Sequence, residues 1–325
     1  MKPYKHDAQR KPPGELPCFP EPYPGESFYS VLCRYHVRSG NINSWHTLHQ
    51  LFGYPGSLAS TLLAPFHFEM IKHWVPVSSG ITPEKMLRQN TAFNLYALTC
   101  IPSEINCIYD VIAERKTTSS FPRRMLPRTV NPSRHLRFCP ECAAAQKKLY
   151  GEPYWQVLPQ IDDVEYCPLH GVMIQNSPVP LTDIRLKFHP ASTVIRETTS
   201  PTVTEYCKEW ESLFREERRF FMKMSQGIAW LLQHGEPYAG YSSLVAAYNR
   251  LLNRTNNKSW LEIKQSKVRD VLSHISHSNK LYEYLESKNP HQFFSDSLYV
   301  YSLRPCSHVM LMTAICGSPK SFYET

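Results

Sequence analysis

Three cysteines and one histidine stand in two closely spaced pairs near the middle of the chain. The first pair is Cys139 and Cys142, the second is Cys167 and His170, and 24 residues separate the two pairs. Structural zinc takes four nitrogen or sulfur ligands in a tetrahedron, and a tight turn lets both side chains of such a pair reach one ion. The spacing therefore predicts one structural Zn²⁺ ion. The plainer alternative is a set of unrelated buried thiols with a core histidine.

The predicted zinc shell is closed, because four protein ligands leave no position for an activated water molecule. A zinc deaminase is the competing catalytic interpretation, since His67 and Glu69 precede the pair Cys139 and Cys142. However, Phe138 stands where that motif has proline, and the second ligand pair would have no role. The chain also lacks the P-loop, HExxH and GxSxG motifs. We therefore expect no enzymatic activity and interpret His67 as an ordinary core or surface residue.

Composition indicates a globular protein with a basic balance. Hydrophobic residues make up 42 % of the 325 residues and charged residues 20 %, which excludes global disorder. Lys and Arg number 36 against 28 acidic residues, a net charge of +8 that weakly favours a polyanionic partner such as double-stranded DNA. The start has no signal-peptide core, the cysteines form no secreted disulfide framework, and no membrane-spanning apolar run occurs. These features predict a cytoplasmic protein that is not inserted in a membrane.

The elements that position the ligand pairs are predicted to be helices. Helical periodicity follows Gly25 and again follows Ser44, where Trp45, Leu48 and Phe52 are expected to face the core. Further helices are predicted over 83–99 and 102–115, and a long one precedes Gly235, with Gly227 as a candidate break. Three short helices over 243–253, 259–275 and 279–286 fit either a helix-turn-helix or a plain bundle.

These patterns predict a mainly α fold: a helical N-terminal domain with an inserted CCCH zinc-finger module, followed by a helical bundle with a helix-turn-helix-like part. The expected organisation is a disordered arm (1–17), an N-terminal domain (18–176) containing the zinc module (134–171), a linker (177–201), a helix-turn-helix-like domain (202–290) and a C-terminal helical segment (291–325).

Basic residues concentrate in the segment 115–137, which contains no acid and is expected to be an exposed loop. Arginines in an extended segment can contact successive phosphates, although a solvated linker is an equally weighted alternative. A second basic concentration lies in the predicted helix-turn-helix region. The candidate DNA-binding residues are Arg115, Lys116, Arg123, Arg124, Arg128, Arg134, Lys264 and Lys267.

Two aromatic residues between the ligand pairs, Tyr154 and Trp155, are expected to pack the zinc module onto the N-terminal helices. Base stacking by exposed rings is the alternative. Near the C-terminus, Cys306, His308 and Cys316 have irregular spacing and are interpreted as structural residues.

Several short motifs in combination resemble the TniQ family, which includes the TnsD-type target selectors of cut-and-paste transposons. They are FPEPYPGES from Phe19 with Arg34 after it, RFCPEC from Arg137, YGEPYW from Tyr150 and YCPLHG from Tyr166. The resemblance covers about 18 to 325 and is strongest across 134–171. It implies zinc bound by Cys139, Cys142, Cys167 and His170, and a helix-turn-helix at about 242–287. Because TnsD-type members are usually longer, it also implies that part of the site-reading region is absent.

The resemblance implies a non-catalytic adaptor that acts on DNA in the bacterial cytoplasm, in association with the nucleoid. Such proteins mark the insertion site, either by binding an attachment sequence or by riding on a CRISPR effector complex. They recruit the AAA+ ATPase regulator TnsC and thereby the transposase. A stand-alone zinc-containing transcriptional regulator is the alternative.

Overall fold

A computed structural model describes residues 14–53, 62–63, 67–116, 135–197, 215–251, 262–264, 297–299 and 304–324. Helices predominate in these ranges, and strands form two short antiparallel pairs, β1 with β2 and β3 with β4, which confirms the mainly α class. The helices are α1 (Phe28–Arg38), α2 (Ser44–Phe52), α3 (Ile71–Trp74), α4 (Pro83–Gln89), α5 (Phe93–Tyr96), α6 (Pro102–Ile112), α7 (Pro140–Tyr150), α8 (Ala191–Glu197), α9 (Arg215–His234), α10 (Tyr241–Leu251), α11 (Pro305–Cys316) and α12 (Pro319–Glu324). The strands are β1 (His135–Phe138), β2 (Gln175–Pro180), β3 (Glu262–Lys264) and β4 (Ser297–Tyr299). Within the described ranges, each helix is too short or too polar to traverse a bilayer.

The first two helices begin at side-chain caps. Ser27 caps α1 by accepting a hydrogen bond from the Ser30 N–H, and Asn43 caps α2 by accepting one from the His46 N–H. The expectation that Trp45 faces the core is wrong, because 55 % of this residue is exposed. Leu48 and Phe52 of the same stripe are buried, so this stripe meets the core only beyond the first turn of α2.

The long helix α9 runs unbroken from Arg215 to His234, so Gly227 does not interrupt it. Gly227 instead permits close packing: a Cβ atom there would lie 2.7 Å from Cδ of Pro319, the first residue of α12. The Asn94 side chain donates a hydrogen bond of 2.7 Å to the Leu232 carbonyl and ties α5 to α9. Position 227 therefore requires glycine for its small size and not for its chain flexibility.

The prediction of a linker over 177–201 is wrong for residues 177–197, which are folded against the N-terminal helices. The segment begins inside β2 and continues through the turn Asp183–Arg185 into α8. Ile184 and Phe188 are buried in the hydrophobic core. The Pro- and Thr-rich composition concealed these apolar contacts, and residues 198–201 lie outside the described ranges.

The predicted disordered arm (1–17) ends earlier in the structure than the sequence suggested. Leu16 is buried, and its N–H donates a 2.7 Å hydrogen bond to the Trp74 carbonyl. The arm prediction therefore does not apply to residues 14–17, and residues 1–13 lie outside the described ranges.

The region predicted as helix-turn-helix begins as expected with a helix, α10. The prediction of a helix over 259–275 is wrong for residues 262–264, which form β3. Ile263 of this strand pairs with Leu298 of β4. The C-terminal segment 291–325 likewise contains β4 before its two helices. Strand pairing depends on residues distant in sequence, which a local helical pattern over 259–275 does not reveal. The other residues of 252–296 lie outside the described ranges, and the helix-turn-helix stays a prediction.

Candidate metal centre

The structure brings together the four side chains that the sequence singled out as zinc ligands. The His170 Nδ1 atom lies 3.6 Å from Cys139 Sγ, 3.4 Å from Cys142 Sγ and 3.5 Å from Cys167 Sγ. Cys142 Sγ lies 3.7 Å from Cys167 Sγ, and all four ligand atoms lie within 4.8 Å of one another. Ligands about 2.0–2.3 Å from the centre of a tetrahedron are about 3.3–3.8 Å apart. The geometry therefore fits one four-coordinate metal ion.

The first ligand pair is held at the junction of β1 and α7. Cys139 is the N-cap of α7, and its Sγ accepts a hydrogen bond of 3.4 Å from the Cys142 N–H. Pro140 occupies the first position of the helix, where the missing N–H costs nothing. One helical turn thus directs both thiols to the same side.

The second ligand pair lies in a tight turn between two short extended stretches. The Cys167 N–H donates to the Val172 carbonyl at 2.8 Å, and the Gly171 N–H donates to the Cys167 carbonyl at 2.8 Å. Gly171 has φ of +67°, a conformation that favours glycine. The turn therefore closes immediately after His170 and holds it beside Cys167.

Arg137 joins the two ligand pairs. In the β1–β2 pair, Phe138 next to the first cysteine lies opposite Gln175, just after the second pair. The Gln160 side chain bonds to both the N–H and the carbonyl of Arg137, at 3.1 and 2.6 Å. The Arg137 guanidinium is buried and donates a 2.6 Å bond to the Val164 carbonyl. Although Arg137 belongs to the basic segment, it is a structural residue here and is not available to phosphate.

The three thiols strongly affect one another's ionisation. Hydrogen bonds from Cys139 and Cys142 lower the pKa of Cys167, whereas hydrogen bonding with Cys139 and Cys167 raises the pKa of Cys142. A single thiolate is thus stabilised by two protonated neighbours. A divalent cation held by these residues would stabilise all three thiolates in place of the protons, which is the chemistry that the donor set favours.

A contact that the sequence did not predict connects the candidate centre to α9. Arg218 Nη2 donates a 3.1 Å hydrogen bond to the Gly171 carbonyl, and the guanidinium carbon lies 5.5 Å from the centre of the Tyr166 ring. The turn that carries the second candidate ligand pair therefore contacts the long helix α9.

Tyr154 and Trp155 pack the metal module onto the N-terminal helices, as predicted. Trp155 is fully buried, and its indole N–H donates to the His189 carbonyl at 2.7 Å. The Trp155 backbone N–H donates to Ser30 Oγ at 3.1 Å, and the Tyr154 hydroxyl donates to the Pro24 carbonyl at 2.9 Å. Both rings are buried, so base stacking by them is excluded.

A buried charge cluster around Arg34 links the N-terminal motif to the YGEPYW motif. The guanidinium bonds to Glu26 at 2.8 Å and to Glu152 at 2.9 Å, and it stacks 3.6 Å from the Tyr23 ring centre. Burial raises the pKa of Glu26 to about 7, although Arg34 and the Tyr23 N–H act in the opposite direction. The sequence analysis placed Arg34 after the first motif but predicted no partner for it. The acidic residues of the two motifs, Glu26 and Glu152, were the signal that could have identified its partners.

The candidate DNA-binding residues are only partly within the described ranges. Arg115 and Lys116 are exposed after α6, and both are ion-paired to Asp110, at 3.7 and 2.9 Å. The Lys264 backbone lies in β3. The residues outside the described ranges are Arg123, Arg124, Arg128, Arg134 and Lys267.

The residues that suggested a deaminase do not support one. His67 is buried against the Phe52 ring at 4.3 Å, and burial lowers its pKa to about 4, so the imidazole is neutral near pH 7. The group of four candidate ligands includes neither His67 nor Glu69. The C-terminal His308 is also buried, with Nδ1 3.2 Å from the Tyr248 hydroxyl.

The comparison with protein families matches residues 17–174 to TniQ. This region, which contains all four candidate ligands and the Arg34 cluster, is similar to the TniQ family. It is similar to the transposon Tn7 transposition protein TnsD of Escherichia coli, with 26 % identity over 157 residues. That match covers 48 % of this chain and 31 % of the relative, so the chain spans less than a third of the length of the relative it matches.

Proposed function

We propose that the chain is a non-catalytic target-selection adaptor of a transposon. It binds target DNA, or a complex already bound there, and recruits the AAA+ regulator TnsC and through it the transposase. The observation that carries the proposal is the TniQ region, whose motifs form one folded unit around the four-ligand centre. The transposition protein to which it is similar supports the same assignment.

The proposed ion is Zn²⁺, held by Cys139, Cys142, Cys167 and His170. Three thiolates and one imidazole at tetrahedral spacing suit Zn²⁺, whose filled d shell imposes no other coordination geometry. When bound, Zn²⁺ would crosslink the junction of β1 and α7 to the turn that carries Cys167 and His170. The protein's own groups fill the shell, so the proposal includes no catalytic role for the ion.

The proposed DNA contacts come from the basic segment after α6 and from Lys264 and Lys267. Arg115 and Lys116 mark the start of that segment on the surface. The net charge of +8 supports attraction to a polyanion. Targeting either by direct DNA recognition or by way of a CRISPR effector complex is compatible with this proposal, and both place the protein at the bacterial nucleoid.

The test is capture of TnsC by the full chain, with and without target DNA. A Trp155→Ala variant, expected to disrupt the TniQ core, is compared with Lys85→Ala, an exposed position in α4. We expect TnsC capture to increase when DNA is present. The Lys85→Ala variant should keep this capture, and the Trp155→Ala variant should lose it. DNA binding without any TnsC capture by the wild-type chain would contradict the adaptor and favour a stand-alone transcriptional regulator.

A further inference from the structure

Four large apolar side chains are exposed at one corner of the N-terminal region, here named the α1–α2 corner. Their exposed fractions are 95 % for Ile42, 56 % for Val37, 55 % for Trp45 and 53 % for Leu186. Isolated exposed apolar residues are ordinary, but a group that includes tryptophan is typical of a protein-binding surface. Trp45 contacts the neighbouring imidazoles of His46 and His49.

Contacts beneath the surface place the segments that carry these four residues next to one another. The Phe188 N–H donates to Ser44 Oγ at 3.3 Å, which places the segment of Leu186 against the start of α2. The Phe188 ring also stacks on His36, at 4.8 Å between centroids, and Val37 follows His36 at the end of α1. Ile42 lies in the connection between these helices.

The corner is held in a fixed shape by its polar residues. Asn41 donates to Thr47 Oγ1 at 3.0 Å and to Gln50 Oε1 at 2.9 Å, and His36 Nδ1 lies 2.6 Å from the same Thr47 oxygen. Asn43 caps α2. A surface that is already ordered loses little conformational entropy on binding, which favours affinity.

Basic side chains border the apolar group. Arg38, Arg185 and Lys187 are exposed, and Lys187 lies 4.0 Å from Asp183, the limit of an ion pair. Arg38 lies 3.6 Å from Glu152, a carboxylate that already binds Arg34. The border therefore retains positive charge and complements an acidic partner.

We propose that the α1–α2 corner is the surface that docks an acidic, amphipathic segment of the AAA+ regulator; this rests on the proposed function. Aliphatic side chains such as Ile42, Val37 and Leu186 offer nothing to phosphates or to base stacking. A protein segment with apolar residues on one side and carboxylates on the other matches both the centre and the border of the corner.

The experiment measures the affinity of purified TnsC for the full chain and three variants. Ile42→Ser with Trp45→Ser removes the apolar centre, Arg185→Glu with Lys187→Glu reverses the border, and Val77→Ser alters a fully exposed apolar residue outside the corner. Both corner variants are expected to lose at least about ten-fold in affinity, with an unchanged melting temperature. Val77→Ser is expected to bind as the wild type does. The border effect should weaken with salt.

The outcomes separate this proposal from the function on which it rests. Corner variants that bind TnsC like the wild type overturn the docking surface and leave the adaptor function standing. A wild-type chain that does not bind TnsC overturns both. Loss of DNA binding with TnsC affinity retained assigns the corner to nucleic acid and also overturns the proposal.

Discussion

Arg34 and Glu152, 118 residues apart in the chain, are joined by a hydrogen bond of 2.9 Å between guanidinium Nε and carboxylate Oε1. The same guanidinium binds the fully buried Glu26. These bonds connect helix α1 to the loop that follows helix α7, the helix that carries the first ligand pair. The N-terminal motif and the region of the candidate ligands are therefore packed into one unit.

Replacing Arg34 by methionine is expected to destabilise the protein by about 3–5 kcal/mol, because the buried Glu26 loses its cation. The matched control is Arg38→Met on the same helix, whose side chain is 42 % exposed and 3.6 Å from Glu152; it should cost less than about 1 kcal/mol. Urea unfolding of both variants measures the difference. Equal losses would mean that the Arg34 cluster is not a special stabilising contact.

A Gly227→Ala change is expected to destabilise the protein, although alanine is the better helix former by about 1 kcal/mol. The added Cβ would meet Pro319 Cδ at 2.7 Å and Val309 Cγ1 at 3.3 Å, and overpacking of this kind costs about 1–3 kcal/mol. Gln226→Ala, at an exposed position of the same helix, is the control. A melting temperature that rises in Gly227→Ala would show that α12 does not pack closely on α9.

The raised pKa of Glu26 predicts a specific pH dependence. Its pKa is about 7 in the folded chain against an ordinary value of 4.5, so the folded state binds the proton more tightly. The stability that this group contributes is present below the unfolded pKa and is lost as the pH rises through about 7. Between pH 5.5 and 7.5, wild type should lose about 2 kcal/mol relative to Glu26→Gln. Unfolding curves at each pH, with metal content checked, measure this; parallel pH profiles for the two proteins would contradict it.

Charge reversal tests the DNA-binding residues in two separate pairs, Arg123→Glu with Arg124→Glu and Lys264→Glu with Lys267→Glu. Removal of these cations from the phosphate backbone should weaken binding equally for all sequences and make the salt dependence shallower, by about one slope unit for each phosphate that is no longer neutralised. Lys85→Glu is the control for net charge. Unchanged affinity in both pairs would refute this placement of the DNA-binding residues.

Local features of the sequence predicted what is determined locally. The ligand pairs were predictable because each pair lies within one turn, and α1 was predictable from its periodicity. Trp45 was misplaced because periodicity alone does not show how far along a short helix the apolar stripe stays against the core. The folded segment 177–197 and strand β3 depend on partners distant in sequence, such as Trp155 and β4. The partners of Arg34 were missed for the same reason.

The candidate metal centre formed by Cys139, Cys142, Cys167 and His170 lies within the TniQ-matched region that carries the proposed function. The direct measurement is the absorption spectrum of the cobalt-substituted full chain, together with the metal content of the zinc form. We predict one ion per chain and a tetrahedral spectrum of three thiolates and one imidazole that added anions do not change. A spectrum with fewer thiolates, or one altered by anions at an open position, would contradict a closed centre of these four ligands.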